Sequence, residues 1–375
     1  MQFKDVIGQE AVKARLISSY KNNRVSHAQL FLGPEGSGNL PLALAYAQFI
    51  SCTDKLENDS CGTCSSCVKY SKIAHPDLHL VYPIASSKEV KTSEDLLEKW
   101  RSYFLENPYM SLFQWIEQVE AENKQVMIGA EESASILDKL SLTSYESTYK
   151  IMLIWMAEKM NISAGNKLLK ILEEPAENTL FLLVCENEEN MLRTILSRTQ
   201  LIKMKRLSTD EICEALQKNE KVERSEAVRI ALLADGNYNA ALRFLKEGGS
   251  NENNFALFRE WMRICLKFNG VKVMEWNNQI TALGREEQKN FLHYVLHLLR
   301  ECMMFNYTGM ELMRTENEEL TFVKNFSPFI HENNLEKFID EINSACLQLE
   351  RNANPKLLFT DLAFKINELL NIKKA

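Results

Sequence analysis

A chain of 375 residues outgrows a single hydrophobic core, so two or three domains are expected, and 45% hydrophobic residues give each enough apolar material to pack. A net charge of −7 argues against tight autonomous binding to nucleic acid, and no apolar run is long enough to span a bilayer. The opening MQFKDVIGQE lacks the apolar run of a signal peptide, so a soluble, cytoplasmic protein with reduced thiols is expected.

The first clear element is a short apolar strand at Gln29 to Leu32, then the glycine-rich stretch GPEGSGNLPLA from Gly33 to Ala43, then a helix with Leu42, Ala45, Ala47 and Phe49 among its apolar positions. Strand, glycine loop and helix form the context of a phosphate-binding loop, G-x-x-x-x-G-K-[S/T]. There the glycines let backbone N–H groups close around phosphates, the lysine reaches the outer phosphates and the hydroxyl holds magnesium. Gly33 and Gly38 are in register, with Gly36 between them, but Asn39 and Leu40 stand where the lysine and hydroxyl belong. The cradle is present without its chemistry.

Next come Cys52, Cys61, Cys64 and Cys67, spaced C-x8-C-x2-C-x2-C among glycine, serine and threonine. Two consecutive C-x2-C turns bring thiolates to one metal without backbone strain, and four thiolates leave zinc no open position, so the expected role is a structural Zn2+. An iron–sulfur cluster and unligated thiols are the alternatives. The remaining five of the nine cysteines are scattered in apolar or helical contexts and read as small core residues, and His75 and His79 as ordinary histidines.

From Ser86 to Lys124 the composition turns charged and aromatic. Leu97, Trp100 and Phe104 recur at helical spacing, as do Leu112, Trp115, Ile116 and Val119, with Pro108 between the sets; this predicts a helical hairpin inserted in the sheet domain. YKIMLIWM (Tyr149 to Met156) and TLFLLVCE (Thr179 to Glu186) are short apolar runs separated by a helical stretch, which predicts a parallel α/β sheet covered on both faces. After about Arg206 the pattern is helical throughout. Ser208 or Thr209 caps the first helix, and Gly236 and the Gly248 to Ser250 run are the best joints.

Several blocks together resemble the clamp-loader AAA+ family of bacterial DNA polymerase III. They are VIGQEAV (Val6 to Val12), HAQLFLGPEGSG (His27 to Gly38), the cysteine knuckle followed by HPDL (His75 to Leu78), NKLLKILEEPAENTLFLL (Asn166 to Leu183), ILSRTQ (Ile195 to Gln200) and NANPKLLFTDL near the C-terminus. The resemblance implies an α/β plus all-α protein. Residues 1–206 would be an AAA+ RecA-like parallel-sheet domain carrying the zinc knuckle (52–67) and the insertion (about 86–124), 207–250 a small helical lid, and 254–375 a helical collar. The resemblance does not extend to the insertion, and it implies nothing about it.

Departures from the family pattern define the expected role. Motor subunits of the family carry an Asp-Glu pair after the second of these apolar strands, for magnesium and for the attacking water; the corresponding positions here are Trp155 and Met156. With lysine, hydroxyl and both acids replaced, no intrinsic ATPase is expected. Backbone N–H groups alone can hold a phosphate, so both an empty cradle and one that keeps ATP without hydrolysing it fit the sequence. Ser197 and Arg198 of ILSRTQ match the family's S-R-C block, though Thr199 replaces its cysteine. The resemblance implies that Arg198 is an arginine finger for ATP bound by a neighbouring subunit. The function so implied is a non-catalytic stator in a heteropentameric ring with gamma and tau motor subunits and a delta subunit, loading the sliding clamp onto primer-template DNA without a membrane partner. The alternatives are a divergent ATP-hydrolysing motor and, third, a nucleic-acid module built on the knuckle, which the near-neutral charge around the cysteines disfavours.

Overall fold

In the computed structural model, residues 1–121, 124–141, 144–246, 250–308, 317–350 and 353–372 are described; the joint residues Gly248 and Gly249, and residues 122 and 123 of the insertion, lie outside them. The chain forms two compact units, Met1–Leu242 and Arg243–Ala375.

The first unit is built on five parallel strands, β1 (Ala28–Leu32), β2 (Leu78–Val81), β3 (Lys150–Trp155), β4 (Thr179–Cys185) and β5 (Gln200–Lys203), ordered β2-β3-β4-β1-β5. Every residue of β1, β3 and β4 is buried, because helices cover both faces of the sheet. Alternation sorts their side chains: Ile151, Leu153 and Trp155 of β3 join one core with Leu180, Leu182 and Val184 of β4, while Met152 and Ile154 join the other with Phe181 and Leu183.

Around the sheet run α1 (Glu10–Lys21), α2 (Asn39–Ser51), α3 (Ser65–Ser71), α4 (Leu97–Glu106), α5 (Leu112–Gln118), α6 (Ala130–Ser141), α7 (Ile162–Glu173) and α8 (Arg193–Leu196). The expected hairpin in the insertion is α4 and α5. It packs against the sheet through aromatic rings: Trp100 stacks on Tyr82 at 5.2 Å and on Phe104 at 5.2 Å, and Trp115 meets Tyr82 edge-on at 5.4 Å. Both tryptophans are fully buried, and the Trp115 indole N–H donates to the Pro83 carbonyl.

The helices α9 (Thr209–Ala215), α10 (Arg224–Ala234) and α11 (Tyr238–Lys246) follow the sheet. Ser208 caps α9 in a reciprocal box with Glu211, the two hydrogen bonds measuring 3.2 and 2.7 Å. Gly236, with φ +83°, turns the chain between α10 and α11.

The second unit contains α12 (Ser250–Leu266), α13 (Gly270–Ala282), α14 (Arg285–Thr308), α15 (Asn317–Phe326), α16 (Glu332–Glu350) and α17 (Pro355–Leu370). Trp261 stacks on Trp276 at 4.8 Å, and Phe291 and Phe359 close on the pair. Pro355 opens α17 behind the Asn354 cap, where a missing N–H costs nothing.

Candidate functional site: a glycine loop without its lysine

The loop from Gly33 to Gly38 joins β1 to α2, and its backbone has the expected turn geometry. The Gly33 N–H donates to the Cys185 carbonyl at 3.1 Å, and Gly36 and Gly38 take φ values of +72° and +88°. How Asn39 braces the loop was not legible in the sequence. The Asn39 amide folds back beneath the loop, donating to Gly33 O at 3.0 Å and Cys185 O at 3.5 Å, while its Oδ1 accepts the Leu40 N–H at 2.9 Å. A side chain tied down in this way, and 6% exposed, does not reach outward as a phosphate-binding lysine must.

Above the loop lies the start of α11. The Tyr238 N–H donates to the Gly36 carbonyl at 3.2 Å. Asn237 sits so close that a Cβ on Gly36 would lie 1.9 Å from its Oδ1. Asn237 Nδ2 also donates to Glu35 Oε1 at 3.1 Å, and Asn239 Nδ2 reaches the same oxygen at 3.5 Å. The loop therefore carries a carboxylate tied to the start of α11. From the insertion, the Tyr109 ring covers Gly38 and meets Tyr238 edge-on at 4.9 Å, while its hydroxyl accepts the Ile7 N–H at 2.8 Å.

At the end of β3, Trp155 is 1% exposed and meets Trp100 at 6.3 Å; Met156 turns the chain with φ +55° and is also buried. Thus the insertion packs on the place expected for a magnesium ligand. Glu158 does not return to it: Glu158 Oε1 accepts the N–H groups of Glu186 at 2.8 Å and Asn187 at 3.3 Å, and burial pushes its carboxyl above the ordinary range.

Ser197 and Arg198 lie elsewhere. Because β1 and β5 are parallel with Gln29 opposite Gln200, Arg198 precedes the start of β5 while the loop follows the end of β1. About six residues of strand rise separate the two levels, on the order of 20 Å. Arg198 Nη1 donates to Thr194 O at 3.0 Å and Ser197 Oγ at 3.3 Å, and its Nη2 pairs with the Glu173 carboxylate. The Ser197 hydroxyl in turn donates to Thr194 O at 3.0 Å.

The four cysteines form a third, separate place, near the opposite end of α2 from the loop. Cys52 ends α2 and Cys64 caps α3. The Cys52 sulfur stands 3.6 Å from that of Cys61 and 3.9 Å from that of Cys64, and Cys61 and Cys67 are 3.9 Å apart. A tetrahedral ion bound at about 2.3 Å by four thiolates requires edges of roughly 3.8 Å, so the set fits a single metal ion. An iron–sulfur cluster spreads its ligands over several irons and holds them further apart. Backbone N–H groups point at the sulfurs, Cys64 N at 3.2 Å and Cys61 N at 3.3 Å from their acceptors, which favours thiolates. Among the described residues this is the only such cluster of potential ligands.

His75 and Asp77 of HPDL have structural work. The Asp77 carboxylate accepts N–H groups from Tyr145, Glu146 and Ser147 at 2.5 to 2.9 Å. Burial alone would raise its pKa, but these bonds outweigh it and hold the carboxyl below its usual range. Nothing in its pattern marked this role. Asn237, by contrast, follows Gly236 at the head of a helix, the ordinary place for a capping residue, and the Ala240 N–H does bond its Oδ1.

The family described as "DNA polymerase III, delta subunit" matches residues 8–208. DNA polymerase III subunit tau of Bacillus subtilis is 23% identical over 387 aligned positions, covering 97% of this chain and 61% of its own. The delta-prime subunit of the same organism is 30% identical over 208, covering 56% and 51%, and that of Escherichia coli is 22% identical over 358, covering 95% and 93%. The chain thus spans 61% and 51% of the length of the two Bacillus relatives.

Proposed function

Since the chain belongs to the DNA polymerase III delta-subunit family and is a clamp-loader AAA+ protein, we propose that it acts in that loader as a delta-prime-like stator that does not turn over ATP. The observation that carries this reading is the loop itself. Its lysine position is an asparagine bonded to the loop's own carbonyl, Glu35 within it is bonded to Asn237, and Asn237, Tyr238 and Tyr109 pack against its glycines. Phosphoryl transfer depends almost wholly on positioning and charge neutralisation, and this site supplies neither lysine, hydroxyl nor acid.

Arg198 is then the residue through which the chain contributes chemistry. Its level in the sheet, on the order of 20 Å from its own loop, is out of reach of a nucleotide in cis and suits one held by a neighbour. There its guanidinium would stabilise charge on the transferring phosphoryl group, with Ser197 steadying the fork. The partners of this reading are the gamma or tau motor subunits, a delta subunit, the sliding clamp and primer-template DNA, in a heteropentamer. Within the chain we assign the sheet domain to residue 206, a lid to 207–250 and a collar to 254–375. The four-cysteine set would hold a zinc ion whose task is folding; its thiolate donors are the ones zinc prefers.

A second reading, a divergent motor of the gamma or tau type, has the match to tau over 97% of the chain in its favour. Phosphate release by the isolated chain distinguishes the two, and rings assembled from motor and delta subunits with this chain test the finger. The stator reading expects the Arg198→Ala chain to assemble and to lower ATP turnover by about a hundredfold or more at the site it faces. Unchanged turnover removes the finger.

A further inference from the structure

The ion pair at Arg198 has a partner that none of the functional expectations above includes. Glu173 is the last residue of α7, and its carboxylate holds Nη2 of Arg198 while Thr194 O and Ser197 Oγ hold Nη1. Both side chains remain open to solvent, Arg198 at 36% and Glu173 at 48%. The guanidinium is therefore fixed from two elements and yet accessible to an incoming ligand. A carboxylate and a phosphoryl group offer the same planar fork the same pair of anionic oxygens, so one replaces the other without reorienting the arginine.

We propose that Glu173 is a positioning residue that holds the Arg198 guanidinium against Thr194 and Ser197 and competes with the phosphoryl oxygens of a nucleotide bound by the neighbouring subunit. This proposal rests on the reading of Arg198 as a finger in trans. Before the neighbour loads ATP, the fork is held and its charge balanced within the subunit. When ATP arrives, the more highly charged phosphate displaces the carboxylate, and Thr194 and Ser197 keep Nη1 in place. No bond is made or broken in this exchange; one anionic partner of the guanidinium replaces another.

The test is steady-state ATP turnover by rings reconstituted with the wild-type chain, Glu173→Gln, Arg198→Ala and the double variant. Glutamine keeps the shape and one acceptor oxygen but removes the competing charge. An exposed ion pair of this kind sets the scale of the effect, so Glu173→Gln lowers KM for ATP by about two- to fivefold with kcat unchanged. The double variant matches Arg198→Ala alone, because Glu173 acts only through the arginine. A KM for Glu173→Gln that is unchanged or raised, or a shift that persists without Arg198, overturns the positioning role while leaving the finger intact. Wild-type turnover in Arg198→Ala overturns the finger reading itself. Equal unfolding midpoints of the isolated variants exclude a folding defect, as expected for two half-exposed side chains.

Discussion

At Gly36 the closure of the phosphate loop depends on a missing side chain. Its φ of +72° disfavours any L-residue, and a Cβ there would collide with Asn237 Oδ1 at 1.9 Å and crowd the Tyr238 nitrogen at 2.8 Å. Backbone strain and overpacking each cost about 1–3 kcal/mol, so Gly36→Ala destabilises the chain by about 2–4 kcal/mol in urea unfolding. Gly270→Ala is the control: nothing lies within 4 Å of its Cβ, and the change is neutral or slightly stabilising. His79 offers a different test. Burial, together with Lys139 and Lys150, depresses its pKa from 6.5 to about 4. Between those values the unfolded chain takes up a proton that the folded chain refuses, so the stability present above pH 6.5 is lost as the pH falls towards 4. Allowing for solvent screening of a partly exposed ring, the loss is about 1–2 kcal/mol, and His79→Gln flattens that part of the pH–stability curve. A curve of equal slope in the variant assigns the acid sensitivity to other groups.

Among the elements, the strands legible in the sequence were those buried on both faces. Gln29 to Leu32, Tyr149 to Met156 and Thr179 to Glu186 correspond to β1, β3 and β4 within a residue or so at each end. The four-residue strands β2 and β5 carried no readable signal, and the topology explains why. Both lie at the edges of the sheet, where LHLV and QLIK need not be apolar throughout. The insertion hairpin was legible from its Trp and Phe spacing, but its target was not, because helical periodicity says which face is buried and not against what. The cysteine knuckle couples elements that are distant in sequence. Beside it the Asp59 carboxylate accepts the Phe3 and Lys4 N–H groups at 3.0 and 3.1 Å, and Gln2 Nε2 donates to Ser60 O at 2.5 Å. We expect about one zinc per chain, and its removal by a chelator to lower the unfolding midpoint and deprotect the Phe3 and Lys4 amides in hydrogen exchange. Folded protein with less than about half an equivalent of metal and the same midpoint refutes the zinc assignment.

For the whole molecule, the family was legible because it depends on residue identity at fixed spacing, as were the departures from its motor pattern at Asn39, Leu40, Trp155 and Met156. The closure of the loop was not, since Glu35, Tyr109 and Asn237 come from three stretches that only the fold brings together. The same limit hid Glu173, an unremarkable glutamate until α7 and α8 place it beside Arg198. These local contacts share one consequence. Asn39 ties the base of the cradle, Glu35 is bonded to Asn237 beside it, and the insertion packs on Trp155, so restoring one lysine is not expected to create a nucleotide site. The most direct test is a titration of the isolated, zinc-loaded chain with a fluorescent ATP analogue and magnesium, followed by phosphate release on the same sample. Neither saturable binding nor phosphate release is expected. Magnesium-dependent release by the isolated chain would contradict the stator reading and make this protein a motor.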